Sequence, residues 1–258
     1  MSMKPISECG VMVLGGSAGV GLESAMQFAE AGARVILLGR GEPRGAAALE
    51  MVRARAPNAD VSFVQVDALD TAQVGRAVEI CEARLGMIDV LVCTTGPSQP
   101  PRLLSNIPIE SIRPRIEEIF LPPLHMMHAV LLGMRRQRSG SIVIVASDAG
   151  KLATPGETLV GSAMGAIMMF AKAAALEAKR EGVRINLLTP SLIANTPGAA
   201  LIAADPFAAK MFQKAASLAH LGVAEAEDLA AMALYLSSPA ARRITGQAIS
   251  INGGISVA

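Results

Sequence analysis

The residues best suited to chemistry begin with a glycine turn. Val11 to Leu14 is a short apolar run that breaks into Gly15, Gly19 and Gly21 in the spacing GxxxGxG, ahead of helix-like sequence from Leu22 to Ala31. Glycines suit a turn with unusual backbone angles, and they let the main chain come close to a pyrophosphate resting on the free N–H groups of a helix start. Gly15, Ser17, Gly19, Val20 and Gly21 are therefore candidates for holding a dinucleotide, although a tight strand–helix turn with no ligand uses the same pattern. Further along, Ser147 and Asp148 follow the apolar run 141–146. Asp148 could serve as a base, but a carboxylate that bonds loop amides at a strand end is the simpler account. His125 and His128 stand at i, i+3 with no acidic third ligand nearby, so no metal site is expected. Lys151 and Glu157 read as solvated loop charges.

A scaffold for these groups is legible in the rest of the chain. Its 258 residues suit one large α/β domain, and 52% apolar residues can fill a sizeable core. The balance of 23 basic to 22 acidic residues makes no electrostatic case for nucleic acid or an anionic membrane. Cys9, Cys81 and Cys93 give neither a disulfide framework nor zinc spacing, so reduced thiols in a cytoplasm are expected. Val11 opens a strand too close to the N-terminus for a signal peptide, and the longest uncharged run, 185–204, is broken by Pro190, Pro197 and Gly198, against a membrane span. Strands are expected at 11–14, 34–38, 61–66, 88–93, 141–146, 183–188 and 248–251. Between them lie helices at about 44–55, 71–84, 111–136, 158–180 and 226–236, the third kinked at Pro122-Pro123. Such alternation implies a Rossmann-like, doubly wound parallel sheet of seven strands in a single domain covering 1–258.

Motifs along that scaffold carry a specific likeness. G-G-S-A-G-V-G at 15–21, Asp67 after the third strand, D-V-L-V at 89–92, G-S-I-V-I-V-A-S at 140–147, V-R-I-N at 183–186 and I-T-G-Q-A-I-S-I-N-G-G at 244–254 occur in order. With them the chain resembles a short-chain dehydrogenase/reductase over nearly its whole length. The resemblance implies a nicotinamide cofactor. An acidic residue ending the second strand would bind the ribose 2′-OH of NAD, whereas Gly39-Arg40 stands here, and a guanidinium grips a 2′-phosphate, so NADP(H) is favoured over NAD(H). By resemblance Asp67 accepts from the adenine amino group, or else it caps the turn before the next helix. Of the family's Asn-Asn-Ala-Gly after strand four, Cys93-Thr94-Thr95-Gly96 keeps only Gly96.

The catalytic positions depart from the family. Its serine is matched by Ser147, but its tyrosine position is Val160, its lysine position Met164 and its asparagine position Ile119. The chain's single tyrosine, Tyr235, falls in a structural helix and is expected to pack in the core with its hydroxyl near the rim. A missing general acid is worth roughly 10²–10⁴ in rate. Two functions follow. One is a catalytically silent subunit that supports an active sister reductase in a hetero-oligomer. The other is an NADP-dependent oxidoreductase acting on a carbonyl, alcohol or acyl-chain substrate through Ser147, Asp148 or water. The resemblance further implies a homo- or hetero-tetramer through the 111–136 and 158–180 helices, where Met126, Met127, Met134, Met164, Met168 and Met169 suit an interface, with core packing a near-equal account for half of them. It also implies a lid at 190–222, including Met211, over a small apolar or acyl-type ligand.

Overall fold

Short runs of branched apolar residues, too apolar to leave either face in water, assemble into one sheet in the computed structural model, which describes residues 4–258. The strands are β1 (Gly10–Leu14), β2 (Arg34–Gly39), β3 (Val61–Gln65), β4 (Val90–Cys93), β5 (Gly140–Val145), β6 (Val183–Thr189) and β7 (Ala248–Ser250). They lie in the order β3-β2-β1-β4-β5-β6-β7, every pair parallel. This is the seven-stranded, single-domain Rossmann-like fold expected from the sequence. The order reverses between β1 and β4, which opens a crevice beyond their C-terminal ends.

Alternation along each strand supplies two cores. Met12, Leu14, Ile36 and Leu38 face one layer, packed by helices α3 (Thr71–Leu85), α4 (Ile109–Gln137) and α5 (Thr158–Ala178). Val11, Val13, Val35 and Leu37 face the other, packed by α1 (Gly19–Glu30), α2 (Glu42–Arg55) and α8 (Ala226–Ser237). The remaining helices, α6 (Pro197–Ala203) and α7 (Pro206–Ala216), belong to the segment expected as a lid.

Several boundaries differ from expectation. β4 starts at Val90, and just before it the Asp89 carboxylate accepts from the Gly10 N–H at 2.9 Å and pairs with Lys4 at 2.9 Å. Helix α4 runs through Pro114, Pro122 and Pro123 without a break; the donors lost there are offset by burial of Pro122, Pro123 and Leu124 against the sheet layer. The 158–181 stretch is long and apolar enough to cross a membrane by composition, yet half of it is buried and its inner side carries Val160, Ala163, Met164 and Ile167 as core residues. Met126, Met127, Met134, Met164 and Met168 are core residues as well, because their positions turn toward the sheet; only Met169, 69% exposed, remains for a subunit interface. Cys9, Cys81 and Cys93 are free and buried, and burial raises all three thiols, Cys9 to about 11 and Cys81 to about 12, which keeps them protonated and unreactive.

Candidate active site

The glycine turn stands at the switch point. Gly15 (φ 81°) and Gly19 (φ 50°) adopt left-handed backbone that other residues resist. Gly21 is required by closeness instead: a Cβ there would lie 2.5 Å from Thr94 Oγ1 and nearer still to the Gly15 carbonyl oxygen. Thr94 Oγ1 donates to the Leu14 carbonyl at 2.9 Å and ties the ends of β1 and β4 together. Gly21 therefore shapes the turn from beneath and lines neither of the two clefts described next, a correction to its expected place against a cofactor.

The first cleft, about 550 Å³, is lined by Gly15, Ser17, Arg40, Arg44, Asp67 and Gly96, among others. Arg40 and Arg44 are exposed and stand at one end, on the loop after β2 and the start of α2. Asp67 lines the cleft and also bonds its own turn, since its Oδ1 accepts from the Leu69 N–H at 3.0 Å. The N-cap of α3 is Asp70, which accepts from Ala72 and Gln73. The second cavity, about 340 Å³, meets the first at Gly15, Thr95 and Gly96 and also takes in Gly19 and Val20. At that junction Thr95 Oγ1 is buried with no hydrogen-bond partner, an orphan that a ligand oxygen would satisfy. A cleft over glycines, with two guanidiniums in its lining and an unpartnered hydroxyl where it meets the second cavity, fits a dinucleotide.

Ser147, just after β5, lines the second cavity together with Val160 and Met164 of α5, with Leu201 and Ile202 of α6 and with Phe212 of α7. Ser147 Oγ accepts the Ala149 N–H at 3.2 Å, which leaves its own proton free to be donated. Phe212, and not Met211, is the α7 residue that reaches the cavity. Ile119 is 2% exposed in the core and does not line it. Tyr235, expected to pack in the core, is 45% exposed on α8 and lines neither cleft, because its side of that helix turns outward.

Glu157 departs most from its expected place. It is not a solvated loop charge: it lines the second cavity and is, among the described residues, the only ionisable side chain that does. Burial first, and the negative charge of Asp148 second, raise its carboxyl from 4.5 to about 7. Asp148, by contrast, is tied into structure and not free to act as a base. It is 6% exposed and accepts from Ser250 Oγ at 3.2 Å, from Ser256 Oγ at 2.6 Å and from Asn252 Nδ2. Lys151 Nζ is spent in the same way on Ala248 O, Ser250 Oγ and Ala258 O at 2.8–2.9 Å. His125 Nδ1 lies 2.8 Å from Ala68 O and His128 is exposed; among the described residues no three His, Cys, Asp or Glu side chains converge as a metal site would require. Arg44 carries no sequence signal of its own, since it sits among exposed residues of the first turn of α2, four residues after Arg40.

Comparison with known proteins agrees with this geometry. The family described as Enoyl-(Acyl carrier protein) reductase matches residues 15–256. The 3-oxoacyl-(acyl-carrier-protein) reductase FabG of Chlamydia muridarum is 31% identical over 244 residues, 95% of this chain and 96% of the relative. Momilactone A synthase of Oryza sativa subsp. japonica is 30% identical over 249 residues, 95% and 89% of the two chains. The crystal structure of levodione reductase superposes with a TM-score of 0.90 at 25% identity, covering 96% of this chain and 97% of the other. A short-chain type dehydrogenase/reductase from Mycobacterium ulcerans superposes with a TM-score of 0.89 at 26% identity, covering 99% and 91%.

Proposed function

This chain belongs to the short-chain dehydrogenase/reductase family, and we propose that it is an NADP(H)-dependent oxidoreductase interconverting a carbonyl group and an alcohol on an apolar or acyl-chain substrate. The observation that carries the reading is the continuity of the two clefts: a dinucleotide-shaped groove opens at Thr95 and Gly96 directly into an apolar cavity containing Ser147. The names of the relatives, reductases and oxidoreductases, support a working enzyme over the silent subunit that the loss of Tyr and Lys suggests.

The bound nicotinamide would supply the hydride that a carbonyl carbon takes up. Arg40 and Arg44 hold the 2′-phosphate end, and the orphaned Thr95 hydroxyl takes a hydrogen bond where the groove opens into the cavity. Ser147 donates its free proton as a hydrogen bond to the substrate oxygen and fixes its position. The lid residues Leu201, Ile202 and Phe212 exclude water and bind the apolar body of the substrate. Turnover of NADPH absorbance with a 3-oxobutanoyl N-acetylcysteamine thioester and a panel of alkyl ketones tests the reading. NADPH binding with no turnover of any of them would return the chain to the role of a non-catalytic partner.

Cofactor choice has its own test. Charge-assisted hydrogen bonds contribute about 1.5–3 kcal/mol each, and solvent discounts the exposed pair here. Arg40→Ala with Arg44→Ala should weaken NADPH roughly 10–100-fold in a fluorescence titration while leaving NADH nearly unchanged. An unmodified protein that binds both cofactors alike would remove the case for a 2′-phosphate site.

The subunit assembly is likewise proposed. On the outward side of α5, Met169, Phe170 and Leu176 are exposed, and Leu132 of α4 is exposed too. Apolar residues in such a row fit burial against a second chain of the same fold in a tetramer. Met169→Glu with Leu176→Lys should lower the mass seen in native mass spectrometry; an unchanged mass would place the interface elsewhere. Three buried free thiols suit a cytoplasmic location.

A further inference from the structure

We infer that Glu157 exchanges the reaction's proton with the substrate oxygen in the cavity beside Ser147, a role that rests on the oxidoreductase reading above. Three observations place it there. First, Glu157 is the N-cap of α5, and Val160 and Met164 follow at i+3 and i+7. These positions share one side of a helix, so the carboxyl stands one turn before Val160, on the side that faces the cavity. Second, no other ionisable side chain among the described residues lines that cavity. Third, Glu157 also lines the outer depression bounded by Lys151, Thr158 and Ser162. It thus stands between substrate and solvent, where a relay has to stand.

The charged groups packed around it are few. Asp148 approaches from the turn after β5 and Lys151 from the loop that follows; Lys151 is held by three hydrogen bonds. From the neighbouring loop, Arg102 donates its backbone N–H to Gly156 O at 2.9 Å while its guanidinium lies 3.9 Å from Asp205 of the lid. None of them makes an ion pair with Glu157. A carboxyl held near neutrality suits proton transfer in both directions at working pH.

During reduction the carbonyl π bond breaks as its carbon gains the hydride and its two electrons. The O–H bond of the protonated Glu157 breaks, a new O–H bond forms on the substrate oxygen, and the carboxylate recovers a proton from water at the outer depression. Carbonyl, hydride and proton give the alcohol, with the nicotinamide oxidised. Oxidation runs the same bonds in reverse and needs Glu157 ionised.

The test combines kinetics with a direct reading of the carboxyl. In the unmodified protein, kcat/KM for reduction of the 3-oxobutanoyl thioester should be flat below about 7 and fall roughly tenfold per unit above it, and alcohol oxidation should show the opposite limb. Glu157→Gln should lose roughly 10²–10⁴-fold in kcat and that titration with it, Glu157→Asp should recover part of the rate, and NADPH affinity should stay within about threefold in both. Infrared titration should show a protonated-carboxyl band with a midpoint of about 7 that is absent from Glu157→Gln. A Glu157→Gln protein that keeps the parent's rate and pH profile, or a band that titrates in the ordinary carboxylate range, would overturn the assignment and leave the oxidoreductase reading intact. An unmodified protein that binds NADPH and reduces none of the ketones would overturn that reading, and this assignment falls with it.

Discussion

Asp148→Ala loses about 3–5 kcal/mol of folding stability, the worth of its hydrogen bonds to buried donors, and melts roughly 6–20 °C lower, taking about 2–4 °C per kcal/mol for a chain of this size. The carboxylate stands 6% exposed at the end of β5 and gathers three donors from the C-terminal segment: Ser250, Asn252 and Ser256. Removing it leaves the Nδ2 of Asn252, a residue 4% exposed, with only the weaker bonds to the carbonyl and hydroxyl oxygens of Ser256, at 3.3 and 3.1 Å. A buried polar group deprived of its acceptor keeps its full desolvation cost. Lys151 shares the segment through Ser250 and Ala258, so residues 250–258 should loosen together. Calorimetry measures the stability, and hydrogen exchange over 250–258 locates the loss. Asp148→Asn, which retains one acceptor oxygen, should cost about half as much. An Asp148→Ala protein that melts with the parent and keeps its tail protected would show that the network does not hold the fold.

That network matches the simpler account of Asp148, a carboxylate bonded into structure at a strand end, over the base that its adjacency to Ser147 also allowed. Glu157 is the one that departs from its reading as a solvated loop charge. Chain adjacency is a poor guide at a strand end, where successive side chains leave in opposite directions. Ser147 lines the cavity while Asp148 turns toward the C-terminal tail. Glu157 is brought in by helix geometry: three residues before Val160 is one turn, on the same side.

Other parts were open to reading because local rules decide them. Buried parallel strands must be continuously apolar, so β1, β2, β5 and β6 came within a residue or two of their places. The glycine turn announced itself because Gly15 and Gly19 need left-handed backbone. What escaped was tertiary. Nothing in the Met126-Met127 pair says whether it turns toward a partner or the sheet, and it turns toward the sheet. Gly21 reads as a ligand contact in sequence and proves to be a packing requirement, set by Thr94 from a strand about seventy residues away.

Glu157→Gln stabilises the chain at alkaline pH and leaves it unchanged in acid. An unfolded glutamate ionises at 4.5 and the folded one at about 7. Below 4.5 both states hold the proton and the residue has no differential effect on folding. Between the two values the unfolded chain has released its proton while the folded chain keeps it, so stability falls as pH rises. Above about 7 the loss is complete, near 1.4 kcal/mol for each pH unit of separation, or about 3 kcal/mol, less what solvent at the cavity mouth returns. The neutral amide carries none of this burden. The variant should therefore melt with the parent in acid and roughly 5–10 °C above it in alkali, the gap opening through the interval from 4.5 to about 7. A thermal-melt series across that interval measures it, and a constant gap at every pH would mean that the carboxyl titrates as it does in water. The same substitution that removes the proposed proton donor should thus make a sturdier protein, as expected where a fold keeps a charge in an apolar cavity for chemistry at the expense of its own stability.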